Sequence, residues 1–322
     1  MLAGLFRSNQ PAVLLVLPVV VVGLFLPSFR HEPVALGMMM PLAAAVASMI
    51  GPSAWAGVLL GLLLVMSIAV QLALLMNALE FMDRRNHLVA FLFPIALAGL
   101  GGGLGYDPAL LGMPFVLMAQ RRTWSVGNTD PALGASFNAG LLIGLAAMCY
   151  LPYAFLLSVL WASSSVIRPF AWREYVLPVV GMALPFYFAW VVLNLTDRLP
   201  WKPLHTILSP DADPMILSGS SVQVAFMVLL ALVILVALFA FSSGYARSII
   251  RGKNLRSSLL AFALALMVIM FMLHLIKGSF PAVLAAVPCA IFGGYAFVAP
   301  KKAWLAEFAA LGLCALALWV RW

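Results

Sequence analysis

Charged residues are scarce in this sequence, and their scarcity excludes most classes of soluble protein. They make up 9% of the 322 positions, whereas apolar residues make up 65%. A soluble domain carries about a quarter charged residues, because its surface faces water. Most of the surface of this chain is therefore expected to face hydrocarbon.

The alternation of apolar and polar residues that marks a membrane β-barrel strand is also missing. Continuous apolar blocks occur instead, such as Val222–Phe241 and Leu259–Ile276. Unpaired backbone groups are costly in lipid, so such blocks are typical of transmembrane helices. We therefore predict an all-α, polytopic integral membrane bundle that forms a single domain over residues 1–322. The first block follows Arg7 but has no small-residue cleavage site, and it is expected to stay as an uncleaved first span.

Motifs for cofactors and metals are absent from the sequence. The three cysteines lie inside apolar segments, which argues against a disulfide framework or a metal cluster. No nucleotide-binding glycine loop, HExxH or GxSxG occurs. We expect no cofactor, and nothing in the sequence supports a divalent metal. The net charge of +8 comes from basic residues in short loops and does not predict nucleic-acid binding.

A bilayer core of about 30 Å needs roughly 20 helical residues per span, which predicts about eleven spans. A shorter apolar segment, 36–50, is expected to be an external interfacial helix. With the basic clusters on one side, the N-terminus is cytoplasmic and the C-terminus external. Two alternatives stay open: whether 36–50 crosses the membrane, and whether 133–166 is one kinked helix or two spans. The predicted spans are 11–28, 54–79, 88–105, 107–120, 133–148, 150–166, 174–195, 221–243, 257–276, 280–298 and 303–320.

Two acidic residues are predicted on the external face, in loops at about 29–53 and 105–107. Glu32, beside His31, follows the first span, and Asp107 lies at the corner after the glycine-rich run Gly101–Gly105. Two carboxylates on one face could serve as base and electrostatic stabiliser in a transfer reaction. The alternatives are a solvated loop charge for Glu32 and a helix N-cap for Asp107.

Basic groups are expected on the same face, in loops at about 196–220 and 277–279. Arg198, Lys202, His274 and Lys277 are candidates for binding the phosphate of a lipid head group. The alternative is that they anchor helix ends at the membrane surface.

The predicted spans carry no acidic or basic residue near their middle, which counts against an ion-coupled transporter. Small and kinking residues inside the spans predict close helix packing. They are Pro94, Gly140, Gly144, Pro178, Gly181 and Pro185.

Three segments resemble a family of bacterial inner-membrane proteins of about this length, which has no established activity. They are Gln71–Ala98, Tyr106–Arg122 and Phe137–Phe186. The similarity covers roughly residues 5–200, and it implies a multi-pass protein of the bacterial inner membrane.

The order of elements is similar to that of the GT-C glycosyltransferases. A cytoplasmic N-terminus, one span, an external loop with an acidic residue, a surface helix and about ten further spans all match. The resemblance implies transfer of a sugar from a polyprenyl-phosphate carrier at the external face, with Glu32, His31 and Asp107 as catalytic candidates. It implies that Lys277 and His274 engage the lipid phosphate.

The sequence leaves open whether the protein is an enzyme. The first hypothesis is the GT-C-like transferase. The second is a non-catalytic subunit or scaffold that binds other membrane proteins in an envelope-assembly or secretion complex, and a transporter is the third. Besides the bilayer, the expected partners are therefore a lipid-linked sugar or other membrane proteins.

Overall fold

The computed structural model describes residues 2–8, 10–27, 39–51, 53–126, 133–167, 171–196, 220–298 and 303–321. Within these ranges the regular elements are helices, in agreement with the predicted all-α class. Two short 3₁₀ helices, Pro11–Leu15 and Leu151–Leu156, lead into the helices that follow them. The α-helices are α1 (Leu2–Phe6), α2 (Leu17–Phe25), α3 (Pro41–Ile50), α4 (Ala54–Ala78), α5 (Leu88–Gly99), α6 (Pro108–Trp124), α7 (Leu133–Cys149), α8 (Leu157–Ile167), α9 (Trp172–Leu195), α10 (Ser221–Arg247), α11 (Ile250–Lys277), α12 (Ala282–Val298) and α13 (Ala303–Arg321).

Five of the described helices are long and apolar enough to cross a membrane unaided. They are Trp55–Ala78, Trp172–Leu195, Ser221–Arg247, Ile250–Lys277 and Trp304–Arg321. The protein is therefore a helical membrane protein. The other predicted spans correspond to shorter helices, so the number of eleven crossings stays a prediction.

Contacts between helices that are far apart in the chain define the two ends of the bundle. Trp124, the last residue of α6, donates a hydrogen bond to Ser258 near the start of α11. At the other extreme, Arg321 at the end of α13 lies over the ring of Phe25 at the end of α2. We call the first the arginine-rich end, since it carries Arg84, Arg121, Arg122, Arg247 and Arg256, and the second the Asp107 end.

Residues 133–167 form two segments that run in opposite directions. The Tyr153 hydroxyl donates to the carbonyl of Ala109 at the start of α6, at 2.7 Å. Ser163, further along the same segment, lies beside Trp124 at the other end of α6. The reversal occurs at Tyr150, whose backbone is extended (φ −143°, ψ 104°). The chain therefore turns here and does not continue as one kinked helix.

The centre of the bundle consists of α5 and α12. All twelve residues of α5 are buried, and so is most of α12. A helix that is apolar on every side fits such a position, because no side of it needs water. The predicted span 88–105 ends early, at Gly99, since Gly101 takes a positive φ of 86° that terminates the helix.

A polar contact joins α11 and α12 to the loop after α4 at the arginine-rich end. Arg256 is 7% exposed, and its Nη2 donates to the carbonyl of Phe81 at 3.2 Å and pairs with Asp83 at 3.3 Å. The Tyr295 hydroxyl donates to the same carbonyl at 3.0 Å. Arg256 was predicted in a loop, but α11 begins at Ile250 and includes it.

Close packing of small residues holds α9 to α7. A Cβ built on Gly140 would lie 2.1 Å from the Pro178 carbonyl oxygen, and one on Gly144 would lie 2.6 Å from that of Met182. A Cβ built on Gly181 would lie 2.4 Å from the Phe137 carbonyl oxygen. The backbones of the two helices therefore touch, as expected for small residues one turn apart in a membrane helix pair.

Candidate functional site

Four of the seven predicted site residues lie outside the described ranges. They are His31, Glu32, Arg198 and Lys202. Their assignment stays a prediction. The other three, Asp107, His274 and Lys277, are described and lie at the Asp107 end.

Asp107 is the N-cap of α6. Its backbone is extended (φ −122°, ψ 114°), and its Oδ1 accepts a hydrogen bond from the backbone N–H of Ala109 at 2.8 Å. This is the structural role that the sequence offered as the alternative to catalysis. The carboxylate also lies close to Tyr106, whose pKa is raised mainly by burial, with smaller contributions from Cys149 and Asp107. A cap bond uses one of about four lone-pair positions on a carboxylate, so the two roles are compatible.

His274 and Lys277 lie in the last turn of α11. The helix ends at Gly278 in the left-handed conformation (φ 72°), whose N–H donates to the His274 carbonyl at 2.9 Å. The His274 imidazole is exposed and lies edge-on to Phe280, with ring centroids 5.9 Å apart. The ammonium group of Lys277 interacts favourably with the dipole at the helix C-terminus, and the His274 ring packs on Phe280, so a structural role is sufficient to explain both residues.

The glycine-rich loop brings the Asp107 corner and the turn after Lys277 to the same end. A Cβ on Gly102 would lie 2.9 Å from the Cβ of Ala282, the first residue of α12. On the other side, a Cβ on Gly61 of α4 would lie 2.1 Å from the Leu104 carbonyl oxygen. The loop is thus packed between α4 and α12, and only glycines allow these approaches.

Arg321 belongs to the same end, and sequence reasoning missed it. Its guanidinium carbon lies 5.4 Å from the centroid of Phe25, and its Nη2 approaches Gly103. The sequence signal was weak, because a basic residue at the end of an apolar segment is usually only an interfacial anchor.

A small recess lies at the arginine-rich end, between α6, α7, α8 and α9. Three hydroxyl side chains and one carboxylate line it: Thr123, Ser136, Ser164 and Glu174. Its volume is about 10 Å³, which is enough for about one water molecule. The carboxylate-bearing residue Glu174 is only 6% exposed. The recess does not have the size of a lipid or sugar site.

His87 is buried at the arginine-rich end, just before α5. It is 7% exposed, and its backbone N–H donates to the carbonyl of Phe6 at 2.8 Å. Neither ring nitrogen has a hydrogen-bond partner in the described part of the chain. Burial lowers the pKa of the imidazole below its ordinary value of 6.5, because the charged form loses its hydration.

Because its folded-state pKa is lowered, His87 is expected to make the protein less stable in acid. This contribution is fully present above the ordinary pKa of 6.5 and is lost as the pH falls towards the lowered value. The midpoint temperature of unfolding in detergent micelles, followed from about pH 7.5 to about pH 5, should therefore fall less for His87→Gln than for the unchanged protein. Parallel curves for the two proteins would show that His87 is not responsible.

Within the described ranges, no group of three or more His, Cys, Asp or Glu side chains is placed to hold a metal ion. No protein family model, no curated protein and no solved structure matches this chain. The candidate site at the Asp107 end therefore depends only on the positions of Asp107, His274 and Lys277 in this structure.

Proposed function

We propose that this chain is a GT-C-like membrane glycosyltransferase that works at the Asp107 end, on a polyprenyl-phosphate-linked sugar. The observation that supports this best is the packing of Gly102 against Ala282, which brings the Asp107 corner to the same end as Lys277. The uneven distribution of arginines supports an external Asp107 end in the bacterial inner membrane, with the N-terminus cytoplasmic.

In this proposal the carboxylate of Asp107 accepts the proton of an acceptor hydroxyl. The acceptor oxygen forms a bond to the anomeric carbon of the sugar, and the bond from that carbon to the phosphate oxygen breaks. The lipid phosphate leaves with the electron pair of that bond, and Lys277 and His274 stabilise its charge. Glu32, with His31, would assist from the predicted loop at about 29–53. Arg198 and Lys202 would approach the phosphate from the predicted loop at about 196–220.

Replacement of Asp107 can separate its capping role from a role in chemistry. Serine is as good an N-cap as aspartate but carries no carboxylate, whereas alanine lacks both. We expect Asp107→Ser to leave the unfolding midpoint nearly unchanged. If the carboxylate is the general base, the same variant should reduce the rate of sugar transfer at least about a hundredfold. Asp107→Ala should also lose about 1 kcal/mol of stability. Surface glycans of a deletion strain carrying each variant, with unfolding midpoints of the purified proteins, measure the two effects.

The same experiment can reject the transferase. If Asp107→Ser restores the surface glycans of the deletion strain as fully as the unchanged gene does, Asp107 acts only as a cap. If the deletion itself leaves the glycans unchanged, the chain is not a transferase for them. The non-catalytic subunit of an envelope-assembly or secretion complex is then the better proposal.

A further inference from the structure

The guanidinium group of Arg321, at the Asp107 end, has unpaired donors within the part of the chain that the structure describes. Its Nε and Nη2 atoms are shielded from water, and neither has a hydrogen-bond partner in the described ranges. Donors of a charged group that are shielded from water and make no hydrogen bond are unfavourable. The ring of Phe25, 5.4 Å away, attracts the cation but accepts no conventional hydrogen bond. Within the ranges that the structure describes, no protein atom supplies an acceptor to these two nitrogens.

The glycine-rich loop presents further donors beside Arg321. The amides of Gly101 and Gly102 donate to the carbonyls at the end of α5, whereas those of the next three residues, 103–105, donate to no group that the structure describes. A Cβ built on Gly103 would lie 3.6 Å from Arg321 Nη2 and 3.6 Å from the amide nitrogen of Gly105. The charged donor and at least one backbone donor therefore border the same small space, which the missing side chain of Gly103 leaves open.

An anion with several oxygens is the ligand that such donors fit. Successive backbone N–H groups form concave anion sites, and arginine binds phosphate through two parallel hydrogen bonds. The carboxylate of Asp107, two residues beyond the loop, is bound to the N-terminus of α6 through Ala109. We propose that Arg321 and the amides of residues 103–105 hold a phosphate group at the Asp107 end.

This site does not depend on glycosyl transfer, because a non-catalytic subunit could bind the same group. The phosphate could belong to a lipid head group or be free in solution. The two sources share the oxygens that the donors recognise, and they differ in the acyl chains that would lie along the apolar surface of α2 and α13.

Thermal unfolding of the purified full chain in detergent micelles can test the site. The probes are inorganic phosphate, short-chain phosphatidic acid and, as a control lipid, short-chain phosphatidylcholine. We expect phosphatidic acid or phosphate to raise the unfolding midpoint, and Arg321→Gln to weaken the apparent affinity at least tenfold. Arg247→Gln, at the arginine-rich end, should respond as the unchanged protein does.

A second variant keeps the test decisive if Arg321→Gln does not fold. Gly103→Val retains the charge but fills the space beside Arg321, and the nearest atoms to its Cβ are at ordinary contact distance. It should also weaken binding at least tenfold. A response to phosphatidic acid alone assigns the site to a lipid, and a response to inorganic phosphate assigns it to free phosphate. If neither probe shifts the unchanged protein, or if both variants respond as it does, the site does not exist.

Discussion

Trp124→Ala is expected to destabilise the protein by about 3–5 kcal/mol, the range for removing a large buried aromatic side chain. Trp124 is 1% exposed and lies edge-on to Phe81 and Phe262, with centroid separations of 5.3 and 5.9 Å. Its Nε1 donates to the Ser258 hydroxyl at 2.6 Å. The side chain thus joins α6, α11 and the loop after α4, and its removal leaves a cavity that these elements cannot close.

Two further variants separate packing from hydrogen bonding at this position. Trp124→Phe removes the donor but leaves Ser163 and Ser258 bonded to each other, so a smaller loss of about 1–2 kcal/mol is expected. Trp190→Ala removes a tryptophan of α9 that is 51% exposed and should change stability by less than about 1 kcal/mol. Denaturation of the purified proteins by SDS in mixed micelles measures the loss of stability in Trp124→Ala, Trp124→Phe and Trp190→Ala. Equal losses for Trp124→Ala and Trp190→Ala would contradict the central role of Trp124.

Gly140→Ala is expected to cost about 3 kcal/mol, at the upper end of the range for overpacked interiors. The new Cβ would lie 2.1 Å from the Pro178 carbonyl oxygen and 2.4 Å from its Cα. These are backbone atoms of a proline, so no rotamer change can relieve the contact. Since α9 packs mainly on α7, the expected result is separation of α9 from the bundle.

Gly134→Ala is the matched control on the same helix. No atom lies within 4 Å of the position its Cβ would take, so the change should be neutral or slightly stabilising. Limited proteolysis of the chain on either side of α9, together with the unfolding midpoint, distinguishes the two variants. If Gly140→Ala is as stable and as resistant to protease as Gly134→Ala, α7 and α9 do not touch through their backbones.

The position of most helices could be predicted from the sequence, because apolar runs fold locally in lipid. The predicted span 54–79 corresponds to α4 at Ala54–Ala78, and 133–148 corresponds to α7 at Leu133–Cys149. Helix ends were less predictable. α11 extends through three basic residues at its start, and α5 stops at the glycine run. Both differences arise where charge or backbone freedom, and not hydrophobicity, decides the end of a helix.

The candidate site was only partly predictable. The corner at Asp107 follows from its position between two apolar segments, and its capping role follows from Pro108 and the helix after it. The location of Arg321 beside Gly103 could not be predicted, because no local pattern relates residues so far apart in the chain. The packing of Gly102 on Ala282 is of the same kind.

By itself, the sequence determined that this is a helical membrane protein with most of its arginines in the short segments between apolar blocks. Those properties depend on composition and on local backbone hydrogen bonding, which every apolar segment satisfies alone. Only the tertiary structure decided that α5 and α12 form the centre, that α9 rests on the glycines of α7, and that Arg321 meets the glycine-rich loop. Lipid and apolar side chains attract a helix about equally, so helix partners are selected by close fit between surfaces, which emerges only when the whole chain is packed.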